Sequence, residues 1–251
     1  MGRVANLWRH PIKSHGREAL ERVALTAGET FPWDRHWAVT HEQTKFSAAD
    51  PQWVGCRNFM IGTLVPALAG IWARFDEASG EMTLRHIARG EITFRPDDPA
   101  DVTRFLDWVA PLSADSALTP TALVSAGPRG MTDTDYPSIT VMTHASHAAV
   151  SARLGGALEV ERWRGNIWLD GVAPWEEMEW TGRHLRIGSA ILAVREPAQR
   201  CKHTMANPRT GQRDAETLAA LSDRFGHQDF GIYCEVVESG DIALGDTAEV
   251  I

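Results

Sequence analysis

Apolar and polar residues alternate in short runs through much of this chain, and the runs are separated by Gly, Pro, Asn and Asp. A period of two places every second side chain on one face of a strand. It predicts strands over residues 4–8, 20–25 and 37–40, with turns at Pro11-Ile12-Lys13-Ser14 and at Gly28. Residues 72–75 and 82–86 read as a hairpin closed by Ala78-Ser79-Gly80, whereas 63–70 fits a strand or the start of a loop. Further strands are predicted over 138–143, 162–169, 184–187 and 191–195, the last two meeting at Gly188-Ser189. Residues 233–238 and 241–251 read as a closing hairpin around Ser239-Gly240.

Helical patterning is confined to three stretches. Residues 99–109 follow Asp98, a capping residue, with Asp101 adding early negative charge. Residues 146–154 end at Gly155-Gly156, and 215–225 form the third. The expected fold is therefore mainly β within the α+β class: a β-barrel body, a barrel-like N-terminal region and a few peripheral helices. The stretch 125–138, rich in Gly, Pro, Asp and Thr, reads as a linker or long loop. It suits a division into residues 1–120 and 121–251. No strand–GxGxxG–helix unit and no GxxxxGK[ST] is present, which argues against a dinucleotide fold or a P-loop.

Composition narrows the function. The chain has 251 residues and a formal net charge of −8, which makes nucleic acid an unexpected general partner but leaves room for a local basic pocket that takes a small anion. Three scattered cysteines, Cys56, Cys201 and Cys234, do not form a disulfide framework and point to a reducing, cytoplasmic setting. Three thiols also fall short of a four-cysteine iron–sulfur cluster, so any such electron supply is expected from another chain. No apolar run reaches the ~20 residues of a membrane span, and strand-like sequence from Met1 onward leaves no room for a signal peptide. The ten tryptophans are expected in core and pocket walls.

The segment Glu196-Pro197-Ala198-Gln199-Arg200-Cys201-Lys202-His203 sets a thiol between two cations. Such a setting favours a nucleophile or soft-metal ligand, although free cysteines are also often inert and buried. On an extended backbone His203 shares the face of Cys201, and Arg200 and Lys202 lie opposite. Arg162-Trp163-Arg164-Gly165-Asn166, read as a strand, aligns Arg162, Arg164 and Asn166 on one face, either as an anion fork or as a solvated edge. Lys13-Ser14 sits in a turn that can hold phosphate. Trp33-Asp34-Arg35-His36-Trp37 pairs Asp34 with Arg35 or aims Arg35 at an anion. His144 and His147 share a helix face without further metal-ligand spacing, and Glu176, Glu177 and Glu179 read as a solvated acidic turn.

Together these segments resemble the MOSC domain family, named for the C-terminal domain of molybdenum cofactor sulfurase. The resemblance rests on LWRHPIKSHGREALERV, FPWDRHW, RWRGNIWLDG, REPAQRCKHTMANPRTG and VESGDIALGDTAEV. The nearest subgroup is similar to the mitochondrial amidoxime-reducing component and its bacterial relatives. The resemblance implies that Cys201 is the molybdenum ligand and catalytic residue. It implies that Lys13, Ser14 and Arg35 meet the phosphate or ring of a molybdopterin, with Arg162, Arg164, Asn166, Thr143 and Thr204 as further cofactor contacts. The implied cofactor is Mo-molybdopterin, with no pyridoxal phosphate. The implied activity is reduction of a small N-hydroxylated substrate, with electrons from a separate flavin or iron–sulfur donor. A persulfide sulfur carrier built on Cys201 and a non-catalytic cofactor-binding module are the alternatives. Three departures stand out: Gly165 replaces a frequent proline, no ferredoxin-like extension follows Ile251, and HEQTKFSAADPQW (residues 41–53) matches the family pattern poorly and is expected near the substrate.

Overall fold

The computed structural model describes residues 1–125 and 127–251, with the side chain of Arg224 outside that description. In chain order it contains β1 (Gly2–Arg9), β2 (Glu18–Leu20), β3 (Arg22–Leu25), β4 (Trp37–His41), β5 (Trp72–Asp76), β6 (Glu81–His86), β7 (Gly90–Phe94), α1 (Pro99–Val109) and β8 (Pro120–Ser125). Then follow β9 (Ile139–Thr143), α2 (His144–Arg153), β10 (Ile167–Asp170), β11 (His184–Ile187), β12 (Ala190–Gln199), α3 (Thr217–Phe225), β13 (Asp229–Glu238), β14 (Gly240–Ala243) and β15 (Thr247–Val250).

Seven strands close into a barrel in the order β10-β9-β13-β12-β11-β15-β1, with β1 pairing back onto β10, and β2 extends the sheet from β1. Closure removes the free edges that an open sheet would expose. Along β11 the burial alternates, so Leu185 and Ile187 point inward while His184 and Arg186 face solvent. The same alternation brings Leu7, Val141, Ile167, Leu192, Ile232 and Cys234 into one continuous core. The mainly β expectation and its barrel therefore hold.

The N-terminal half adds a meander, β5-β6-β7, and the pair β4-β8. Their core joins Trp37, Phe75, Leu84 and Phe94 to Phe105 and Trp108 of α1. The rings of Phe94 and Phe105 stack at 4.7 Å. Asp98 caps α1 by accepting from the N–H groups of Ala100 and Asp101, as the sequence predicts. The two halves exchange strands. β1 and β2 belong to the barrel sheet, β3 pairs with β14, and β8, which begins at residue 120, pairs back onto β4.

Several expectations fail for physical reasons. Residues 162–169 are not one strand: Val160–Trp163 is a 3₁₀ turn, Arg164 is left-handed at φ 52°, and the strand starts only at Ile167. The closing hairpin over 233–251 does not form, because β14 leaves β13 for β3 and β15 joins β11 and β1. Residues 66–70 form a 3₁₀ turn, and β7 and β8 were not anticipated. Glu177 is fully buried rather than solvated; its Oε2 accepts from Ser146 Oγ at 2.9 Å.

Candidate active site

The barrel and the N-terminal half enclose a cavity of about 770 Å³. Strand β12 ends at Gln199, so Cys201 sits just beyond the sheet and leads into a 3₁₀ turn over Lys202–Met205. The expected strand geometry does not apply, and His203 turns inward to become buried instead of lying beside the sulfur on a strand face. Burial pushes the His203 imidazole down to about 3, with nearby Arg164 adding to the effect. The Cys201 thiol itself is exposed to the cavity. Thr63, from the opposite wall, donates its hydroxyl to Cys201 Sγ at 3.1 Å, and Arg213 Nη2 donates to the Thr63 carbonyl at 2.7 Å.

Arg200 is drawn back from the sulfur: its Nε donates to the Phe230 carbonyl at 2.7 Å and its Nη1 to that of Trp163 at 3.2 Å. Thr204 lines the cavity, donates to the Cys201 carbonyl at 3.1 Å and shares a hydrogen bond with Thr217 at 2.7 Å. These bonds fix the loop that presents the thiol.

Opposite Cys201 stands a cluster of cations. Lys13 Nζ donates to the Met131 carbonyl and to Asp133 Oδ1. Ser14, at φ 63°, and Arg35, at φ 50°, hold left-handed conformations that non-glycine residues seldom adopt. Arg35 is locked by its ion pair with Asp34 and by an Nη2 bond to the Arg164 carbonyl at 2.9 Å. Arg164 Nη1 donates to the Gly16 carbonyl at 3.1 Å, while its Nη2, equally buried, has no partner. Burial, reinforced by the Arg35 charge, lowers the Arg164 guanidinium to about 9. A buried donor without an acceptor is uncommon and points to a missing ligand.

The cavity lining contains six Lys or Arg residues against three carboxylates, Asp133, Asp135 and Glu196, in a chain of net charge −8. This local reversal of sign suits an anionic ligand. Of the residues expected at the site, Cys201, Lys13, Ser14, Arg35, Arg162, Arg164 and Thr204 line the cavity. Arg162 is held there by ion pairs to Glu159 and Asp214 at 2.9 and 2.7 Å. Two others stand elsewhere. Asn166 ties strands together behind the wall, accepting from Thr140 N and donating to the Trp8 carbonyl. Thr143 caps α2 through Ser146.

Two stretches were not anticipated as cavity lining. The loop read as a linker supplies Thr132, Asp133, Thr134 and Asp135, and residues 56–63 supply Cys56, Arg57, Ile61, Gly62 and Thr63. The poorly matching stretch 41–53 reaches the cavity through Trp53. His144 pairs with Asp170 and stacks on Trp168, outside the cavity.

Among the described residues, no cluster of three or more His, Cys, Asp or Glu is arranged to hold a metal ion. A metal at Cys201 therefore requires a cofactor that brings its own ligands. The residues present fit one: a soft thiol facing a cavity, an anion cradle and an orphan donor on Arg164.

Two family models match in tandem, the MOSC N-terminal beta barrel domain over residues 1–104 and the MOSC domain over residues 131–249. The chain belongs to the MOSC family. Molybdenum cofactor sulfurase from Drosophila grimshawi is 43% identical over 98 residues, covering 37% of this chain and 12% of that protein. Molybdenum cofactor sulfurase 2 from Culex quinquefasciatus is 41% identical over 81 residues, covering 32% and 10%. The MOSC chain thus matches these curated relatives over about a tenth of their length. The YUAD protein from Bacillus subtilis shares the fold at a TM-score of 0.50 and 13% identity, with 99% of this chain and 94% of that one covered. Among the described residues, no helix is long and apolar enough to cross a membrane.

Proposed function

We propose that this MOSC protein binds the molybdenum cofactor in the cavity below Cys201 and reduces N-hydroxylated compounds. The observation that carries the reading is the pairing of an exposed Cys201 thiol with the unpartnered, buried Nη2 of Arg164 in one cation-rich cavity. Cys201, at the head of the Lys202–Met205 turn, would be the sulfur ligand offered to the metal, and Thr63 orients its sulfur. Lys13, Arg35 and Arg164 hold the cofactor's anionic phosphate, each contributing a charge-assisted bond. When bound, the cofactor supplies two-electron oxygen-atom chemistry.

The outer wall, with Trp53 and Ile61, sheds water from the substrate's apolar part. Reduction of an N–OH group to N–H with release of water consumes two electrons and two protons. The electrons come from a separate flavin or iron–sulfur protein, since three cysteines cannot hold a four-thiolate cluster.

The test is turnover of an amidoxime or hydroxylamine by cofactor-loaded protein with a reduced viologen as donor. Loss of the N–OH group in wild type, and its absence in Cys201→Ala, is the expected result. A loaded wild type that reduces neither compound overturns the reductase reading.

The name of the curated relatives favours one second reading, a Cys201 persulfide that passes sulfur onward. It predicts a mass gain of about 32 Da on Cys201, one sulfur atom, after incubation with a cysteine desulfurase.

A further inference from the structure

Tyr233 lies on β13 between Ile232 and Cys234, whose side chains belong to the barrel core. A period of two turns Tyr233 to the opposite face, and there it lines the cavity. In the antiparallel register its neighbours are Glu196 on β12 and Thr140 on β9, which line the cavity as well. Directly opposed residues share a face at about 5 Å between Cβ atoms, so Glu196 is the nearest carboxylate to which the Tyr233 hydroxyl would turn. That acceptor is engaged elsewhere: Tyr136, the chain's other tyrosine, donates to Glu196 Oε1 at 2.7 Å. Among the described residues the half-buried Tyr233 forms no hydrogen bond through its hydroxyl.

The charges around that hydroxyl place it between the thiol and the anion cradle. Burial and the Asp133 carboxylate push the Tyr233 phenol up to about 12; Arg200 and Arg35 act against the rise, and Cys201 adds to it. Tyr233 is therefore a neutral O–H donor at any working pH, within electrostatic reach of both the Cys201 sulfur and Arg35. The two hydroxyls nearest Cys201 are already committed. Thr63 donates to its sulfur, and Thr204 is shared between the Cys201 carbonyl and Thr217. Tyr233 holds its donor in reserve for a ligand in the cavity.

We propose that Tyr233 is a catalytic residue whose hydroxyl donates a hydrogen bond to the N–OH oxygen of the substrate and holds that oxygen on the Cys201 side of the cavity. The inference rests on the reductase reading above and names a substrate contact within it. The N–O bond breaks, two electrons arrive from the separate donor, and two protons from solvent complete N–H and water. Tyr233 keeps its own proton and stabilises the negative charge that develops on the departing oxygen.

The test compares wild type with Tyr233→Phe, which keeps the ring and its packing. Both are loaded with cofactor and supplied with benzamidoxime and a reduced viologen. In the variant kcat is expected to fall at least about tenfold, the effect of one donor aimed at developing charge. Molybdenum content, pterin content and melting temperature are expected to stay the same, because the hydroxyl has no protein partner. A second readout needs no turnover: benzamidoxime is titrated by calorimetry into the oxidised, loaded protein, where no electrons are available. Its Kd is expected to rise in Tyr233→Phe by less than kcat falls. A variant with wild-type kcat and wild-type Kd overturns the role of Tyr233 and leaves the reductase reading standing. A variant that loses molybdenum or pterin, or melts lower, makes Tyr233 a cofactor or structural contact and also overturns the proposal. A loaded wild type that reduces nothing overturns the reductase reading and this inference with it.

Discussion

Arg35 donates through Nη2 to the backbone carbonyl of Arg164 at 2.9 Å, and both residues are left-handed, at φ 50° and 52°. Two like-charged arginines, one from each half of the chain, are thus braced side by side in the cavity wall. Such an arrangement is unfavourable without an anion between them. Arg164→Met is therefore expected to leave the melting temperature of the cofactor-free protein unchanged or higher. The same variant should lose at least about tenfold in cofactor affinity, about 1.4 kcal/mol. Thermal melts together with pterin content after purification check both halves; a variant that melts lower and keeps its pterin contradicts the assignment.

Asp34 carries the opposite role. Its carboxylate accepts from His10 N at 2.7 Å and pairs with Arg35, with no side-chain exposure. Burial pushes its pKa up, but Arg35 and His10 more than offset this and hold it well below the usual carboxylate range. Asp34→Asn, which leaves the Arg35 charge uncompensated, is expected to destabilise the fold by about 3–5 kcal/mol in urea unfolding. In wild type the stabilisation from Asp34 is complete above its ordinary value near 4 and is lost only as pH falls below that. The Asn variant should lack this acid-dependent component.

His15 governs a higher pH window. Its ring is buried, Nδ1 donates to the Lys13 carbonyl at 2.7 Å, and Nε2 is unpartnered. Burial lowers it to about 4, with Arg164 adding to the effect. The fold therefore prefers the neutral ring. Its contribution is full above about 6.5 and is lost as pH falls toward 4, at most about 3 kcal/mol. Urea midpoints between pH 7.5 and 4.5 should fall in wild type and fall less in His15→Asn.

Gly62 packs the N-terminal half against His203 in the Cys201 turn. A Cβ there would lie 1.8 Å from His203 Nδ1, an outright overlap. Gly62→Ala should cost about 1–3 kcal/mol through overpacking and move Thr63 away from Cys201, lowering cofactor content. Unchanged urea stability and cofactor content would contradict this packing account.

Much of the barrel was legible because period two survives wherever strands face a core on one side, as Leu185 and Ile187 do. The capped helix α1 was legible because Asp98 and Pro99 are local signals. The site was less so. The left-handed turn at Arg164 breaks a pattern that reads as a strand, and nothing in the residue type announces it. Asn166 has the chemistry of a ligand contact but spends both side-chain atoms on strands. Asp133 lies in a loop, where no periodicity marks it, and it gains meaning only when Lys13, 120 positions away in sequence, meets it.

The most direct measurement is molybdenum content, with released-pterin fluorescence, of wild-type and Cys201→Ala protein made in a host that produces the cofactor. Near-stoichiometric metal and pterin in wild type, with metal lost and the fold intact in Cys201→Ala, is the predicted result. Well-folded wild type with neither metal nor pterin, even after reconstitution, would contradict the cofactor site.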